Sequence, residues 1–127
     1  MADISPLIPE GRQVIQSYGG GGFRISGVAH RGSVIVFPTH TVPWNVAALG
    51  EATGVNLAPV TAPEARVALL LVGAGRVSPG VLVPELRKAL REAGVVAEVM
   101  DTGAACRTFN VLMAEERRVA AALIAVA

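Results

Sequence analysis

Met100-Asp101-Thr102-Gly103-Ala104-Ala105-Cys106-Arg107-Thr108-Phe109-Asn110-Val111-Leu112-Met113 leads, through Ala114-Glu115-Glu116-Arg117, into Arg118-Val119-Ala120-Ala121-Ala122-Leu123-Ile124-Ala125-Val126. The stretch joins a polar turn, an amphipathic segment that carries the only cysteine, and a run with no charge after Arg118. A run so uniformly apolar has to be covered on both sides, which predicts a strand over 118–126 in the middle of a sheet. The segment before it predicts a helix over 103–115. Ala105, Phe109, Leu112 and Met113 fall on its apolar side, and Asp101 or Thr102 is available as N-cap.

The rest of the sheet has to flank that strand. Val67-Ala68-Leu69-Leu70-Leu71-Val72 is a continuous apolar run bounded by Gly73, the length of a buried parallel strand. A helix with Pro84 in its first turn follows, where a missing N–H costs nothing. Leu86, Leu90 and Ala93 share its inner face, while Arg87, Lys88, Arg91 and Glu92 face water. Gly94 suits its left-handed cap, and residues 95–100 form the next strand. Strand, helix and strand at this spacing imply a right-handed parallel crossover.

Upstream, residues 13–18 read as a strand that ends in four consecutive glycines at 19–22. Phe23 and Ile25 alternate with Arg24 and Ser26, which turns Arg24 away from the core. Residues 28–37 have two apolar arms about Gly32, the pattern of a β-hairpin, and Pro38 closes the second arm. Between 47 and 66 only a short helix near 57–65 is expected. Residues 1–12, with Pro6, Pro9 and Gly11, form an extended lead-in to a single domain over 13–127. The expected fold class is α/β, a mixed sheet with helices on it and an N-terminal β-hairpin.

Composition bounds the function. The 127 residues suit one domain with its own core. An apolar content of 52% against 17% charge suggests a sheet covered on both faces or a further surface buried on a protein partner, a homo-oligomer included. A net charge of +1, from 11 basic and 10 acidic residues with no basic run, argues against a nucleic-acid partner. One cysteine precludes an internal disulfide and points to a reducing compartment. Met1-Ala2-Asp3-Ile4-Ser5-Pro6 has neither the basic region nor the apolar core of a signal peptide, and no stretch approaches the roughly 20 apolar residues of a membrane span, so the cytoplasm is expected.

Few residues suggest chemistry. The glycines at 19–22 precede a strand, so they lack the helix dipole of a phosphate loop. Gly73-Ala74-Gly75 follows a buried strand at its carboxyl end, but Ser78 or Pro79 stands where a third glycine belongs and no lysine follows, which favours a structural turn over a dinucleotide site. Cys106 sits in the first helical turn beside Arg107. Both features favour the thiolate and offer a thiol-redox reading, against a buried small hydrophobe. His30 and His40 lack neighbouring carboxylates, so neither a metal site nor a cofactor is expected.

Residues after 72 and after 99 emerge at one edge of a parallel crossover and can share a pocket. The candidate ligand site is therefore Gly73, Gly75, Arg76, Thr102, Cys106, Arg107 and Asn110, with Arg24 from the early strand. The alternative is that Thr102 and Asn110 satisfy local backbone groups and the arginines are solvated. Trp44 is either a core plug, as large aromatics mostly are, or an exposed anchor for a protein partner. With no catalytic set, the balance is against an enzyme.

Tyr18-Gly19-Gly20-Gly21-Gly22-Phe23-Arg24-Ile25-Ser26-Gly27, Leu70-Leu71-Val72-Gly73-Ala74-Gly75 and Met100 to Leu112, followed by Arg118 to Ile124, resemble the Mth938-like domain family of uncharacterised small α/β proteins. Its relatives include a mitochondrial assembly factor of respiratory complex I and an adipogenesis-associated protein. The resemblance implies a three-layer domain whose five-stranded mixed sheet has its last strand antiparallel and internal. It also implies a non-enzymatic binding or assembly role on a respiratory or other membrane-associated complex, with subunits or assembly machinery as partners. It carries over no catalytic motif. A small-ligand or anion binder at the 73–76 and 102–110 edge is the alternative. The sequence departs from the family at Glu116-Arg117-Arg118, where a Gly-Arg-Arg-Val type ending is usual, and at Arg76 after Gly75.

Overall fold

The computed structural model describes residues 11–76 and 80–127. Most of the expected lead-in, and positions 77–79 where a dinucleotide motif would continue, lie outside the described residues.

Strands β1 (Ile15–Gly19), β2 (Gly22–Ile25) and β3 (Val28–Arg31) form an antiparallel meander. Its two turns are Gly20-Gly21 (φ 61° and 82°) and Ser26-Gly27 (φ 46° and 82°). Two central residues at positive φ match the right-handed twist of flanking strands, which is why such pairs close two-residue hairpins.

A second sheet holds β4 (Val34–Val36), β5 (Thr41–Pro43), β6 (Leu69–Gly73), β7 (Val96–Met100) and β8 (Val119–Leu123) in the order β5-β4-β8-β6-β7. The final strand is internal as expected. It runs antiparallel to β4 on one side and parallel to β6 on the other, and all five of its residues are buried. Strands β6 and β7 are parallel, connected through helix α2 (Pro84–Glu92). Leu86 and Leu90 of α2 are buried, but Ala93 is exposed, because the chain has already left the helix for the left-handed Gly94 (φ 82°).

The hairpin expected over 28–37 is not formed. Its arms are β3 and β4, which belong to different sheets. At Gly32 (φ 78°) the chain turns away from the meander, and the Gly32 N–H donates to the Gly21 carbonyl at 2.8 Å. Ser33, buried, then accepts the Ala125 N–H on its hydroxyl at 3.0 Å. Tertiary bonds at the turn outweigh the local pairing that the alternation suggested.

Two apolar cores sandwich the large sheet. On one face Ile35, Leu70, Val72, Ala120 and Ala122 meet α2, the short helix α1 (Ala58–Thr61) and Trp44. On the other, Val34, Val36, Leu71, Ala121 and Leu123 meet helix α3 (Thr102–Ala114) and the inner side of the meander through Ile15, Phe23 and Ile25. Alternate residues of β8 thus enter opposite cores, as the two-residue period of a strand demands. Among the described residues no helix is long and apolar enough to cross a membrane.

Candidate functional site

Strands β6 and β7 end side by side at Gly73 and Met100, and α3 starts immediately beyond. Asp101 caps the helix by accepting the Ala104 N–H at 2.9 Å. Gly73 permits the close approach of α3: a β-carbon there would stand 3.0 Å from both the Thr102 Cα and the Leu123 Cδ2. Thr102, 1% exposed, donates its hydroxyl to the Ile124 carbonyl at 2.8 Å and accepts the Gly75 N–H at 3.0 Å. The Thr102 N–H in turn reaches the Gly75 carbonyl at 2.9 Å. Arg76 donates to the Ala127 carbonyl at 2.6 Å.

Gly73, Gly75, Arg76 and Thr102 therefore do come together, the last three bordering a cavity of about 180 Å³ that Tyr18 and Gly103 also line. The polar groups of Thr102 and Gly75, however, are engaged in backbone bonds that splice strand ends to the helix, and the exposed Arg76 spends one donor on the Ala127 carbonyl. The other expected members lie elsewhere. Arg24 is exposed on the outer side of the meander. Asn110, two turns along α3, clasps Ile15: its Oδ1 accepts the Ile15 N–H at 2.9 Å and its Nδ2 donates to the Ile15 carbonyl at 2.8 Å. Arg107 is exposed and borders a small cavity with Cys106, Asn110 and Tyr18.

Cys106 is buried, only 4% exposed. Burial pushes its thiol up to about 12, against which the nearby Arg107 charge acts only weakly. The accessible, acidified thiol of a redox reading is thus replaced by a neutral core sulfur, because desolvation of a thiolate costs more than a helix start and one exposed arginine return.

Trp44 is also a core residue, 3% exposed, with its indole N–H donated to the Asn56 Oδ1 at 3.1 Å. It anchors the 44–60 segment onto the sheet and presents no ring to a partner, which corrects its reading as an exposed interface anchor. Among the described residues no group of three histidine, cysteine or acidic side chains is placed to hold a metal ion.

Beside a concavity of about 540 Å³ next to Trp44, two others were not foreseen. The outer side of the meander borders one of about 650 Å³, with Ser17, Arg24 and Ala29 in one cross-strand row and Gly19, Gly22 and Arg31 in the next. The other, of about 490 Å³, opens at the amino ends of β6 and β8 and gathers four arginines from three separate segments. The only local hint of it is the pair Arg117-Arg118.

The family described as protein of unknown function (DUF498/DUF598) matches residues 15–124. An uncharacterised protein of Rhodobacter capsulatus is 40% identical over 111 residues, 87% of this chain and 82% of its own length. The NADH dehydrogenase (ubiquinone) 1 alpha subcomplex assembly factor 3 of Xenopus tropicalis is 39% identical over 111 residues, 87% of this chain; the match spans 60% of that relative's length. The crystal structure of an outer membrane protein from Bartonella henselae superposes with a TM-score of 0.84 at 41% identity, covering 92% of this chain and 98% of that one. A solution structure from Bordetella pertussis, described as a Mth938-like domain, superposes with a TM-score of 0.81 at 27% identity, covering 98% and 92%.

Proposed function

This chain belongs to the protein family of unknown function DUF498/DUF598, and from that membership we propose that it is a non-enzymatic assembly factor, acting in the cytoplasm and binding protein subunits of a respiratory complex while that complex is put together. The observation that carries the reading is the 39% identity, over 87% of this chain, to a relative named as an assembly factor of NADH dehydrogenase. The site chemistry agrees with a binding role, since the polar residues at the strand ends are spent on backbone hydrogen bonds. An anion site at those strand ends is the weaker reading for the same reason.

With Trp44 buried, the surface best suited to a protein partner is the outer side of the meander. Arg24 and Arg31 stand there over a floor of Ser17, Gly19, Gly22 and Ala29, small enough to let another surface approach closely. The test is capture of the tagged protein from its own cells in mild detergent, beside an Arg24→Glu/Arg31→Glu variant, with mass spectrometry of the bound proteins. Respiratory-complex subunits or assembly machinery enriched with the parent and lost with the variant are expected. Recovery of the protein alone would overturn the assembly reading, and equal recovery with the variant would remove the meander from it.

A further inference from the structure

The geometry points to a binding site for an amphiphilic anion, a carboxylate or phosphate attached to an apolar chain or ring, in the cleft of about 490 Å³ at the amino ends of β6 and β8. This end of the sheet is opposite the strand-end cluster around Thr102, and the inference is independent of the surface assigned to protein partners.

The cleft has two chemistries. Phe37, Val67, Met113 and Val119, all buried core residues, line its base. Arg12, Arg66, Arg117 and Arg118 stand around it against two carboxylates, Glu64 and Glu116. The cleft thus gathers four of the chain's 11 basic residues against two of its 10 acidic ones. Guanidiniums pair with carboxylate or phosphate oxygens in a fixed fork, and an apolar base gains free energy by taking a tail out of water. A small hydrophilic anion would leave the base wet, and a neutral tail would leave the arginines without a counter-charge.

The convergence is not a by-product of one helix end. Arg117 and Arg118 follow α3 and complement the negative end of its dipole, but Arg12 and Arg66 come from segments to which that dipole does not apply. Three non-glycine residues among those described have positive φ, and two of them, Arg66 (φ 55°) and Glu116 (φ 60°), border this cleft. Both are left-handed endings of helical turns, Glu116 after α3 and Arg66 after the turn at Pro63–Ala65, so two chain reversals meet at the cleft. His40 adds a flat wall by stacking on Phe37, with ring centroids 4.6 Å apart and planes 9° from parallel.

The experiment is titration of the full chain with decanoate, decanol and acetate, followed by amide chemical shifts. Saturable shifts at Val67 and Val119 with decanoate, at least about tenfold weaker with decanol, with acetate and in Arg117→Gln/Arg118→Gln, are expected, while Arg91→Gln, exposed on α2 away from the cleft, binds as the parent does. Should the double variant fail to fold, Arg66→Gln and a cleft-filling Ala65→Trp supply the same comparison. Vesicles containing anionic phosphatidylglycerol tell the source: competition with decanoate for the cleft identifies a lipid headgroup, and no competition a free amphiphile. Equal binding of decanol or acetate, unaltered affinity in the arginine variants, or no shift at Val67 and Val119 overturns the inference.

Discussion

The side chain of Asn110 closes both hydrogen-bonding groups of the Ile15 backbone, accepting its N–H at 2.9 Å and donating to its carbonyl at 2.8 Å. An amide is the one short side chain that offers an acceptor and a donor side by side, so it imitates one rung of a β-ladder and ties β1 to α3 where no neighbouring strand exists. Asn110→Ala leaves both backbone groups half-buried and unpaired, and should lower stability by about 2 kcal/mol in urea unfolding. Asn110→Asp, which keeps the acceptor but opposes the Ile15 carbonyl, should recover none of the loss at neutral pH.

Thr102 splices β6 and β8 to the start of α3 through a hydroxyl that both donates and accepts. Thr102→Val retains the shape and strands the Ile124 carbonyl and the Gly75 N–H, at an expected cost of about 2 kcal/mol. Thr102→Ser keeps both bonds and should cost less. Guanidinium unfolding of the pair separates the hydrogen bonds from the packing.

Cys106 should react slowly with iodoacetamide in the folded protein and rapidly once it is unfolded, since the buried thiol holds its proton up to about pH 12 while an exposed one gives it up near 9.0. The sign for stability follows from that difference. Below pH 9 the thiol is neutral in both states; between about 9 and 12 only the unfolded chain ionises, which favours unfolding, so stability falls with rising pH across that window. Comparison with Cys106→Ala removes the contribution of other groups, and the difference between the two curves should slope only above pH 9.

Glu116 occupies the left-handed position after α3, where the Glu116 N–H reaches the Met113 carbonyl at 2.9 Å and the Arg117 N–H reaches the Leu112 carbonyl at 3.0 Å. That pair of bonds is a Schellman ending, in which glycine is the usual occupant. A side chain there costs roughly 1 kcal/mol, so Glu116→Gly should raise the thermal midpoint by a few degrees. A fall in the midpoint would mean that the Glu116 side chain contributes more than its backbone costs.

Much of the fold was legible because local signals and burial agreed. The uncharged run after Arg118 became the central strand β8, Asp101 capped α3, and Gly94 took the left-handed turn after α2. Legibility failed where two readings share one pattern. Apolar arms on either side of Gly32 describe a hairpin or a crossing between sheets equally well, and only the Gly32 to Gly21 hydrogen bond distinguishes them. Cys106 carries two sequence signs of acidity, but its burial under the meander depends on Ile15 and Phe23, some ninety positions away in the chain.

The candidate sites divide in the same way. Thr102, Gly73 and Gly75 were expected together because parallel strands necessarily end at one edge, and they meet there. The arginine cleft was invisible, since no periodicity links residue 12 to residues 66 and 117–118. The sequence by itself determined most of the strands and helices and which strand is central, because hydrophobic period and turn chemistry act over a few residues; the three-residue β5 is too short to show a period and was not expected. Only the tertiary structure decided where charge accumulates, because that depends on which chain ends the sheet order β5-β4-β8-β6-β7 brings to a common edge.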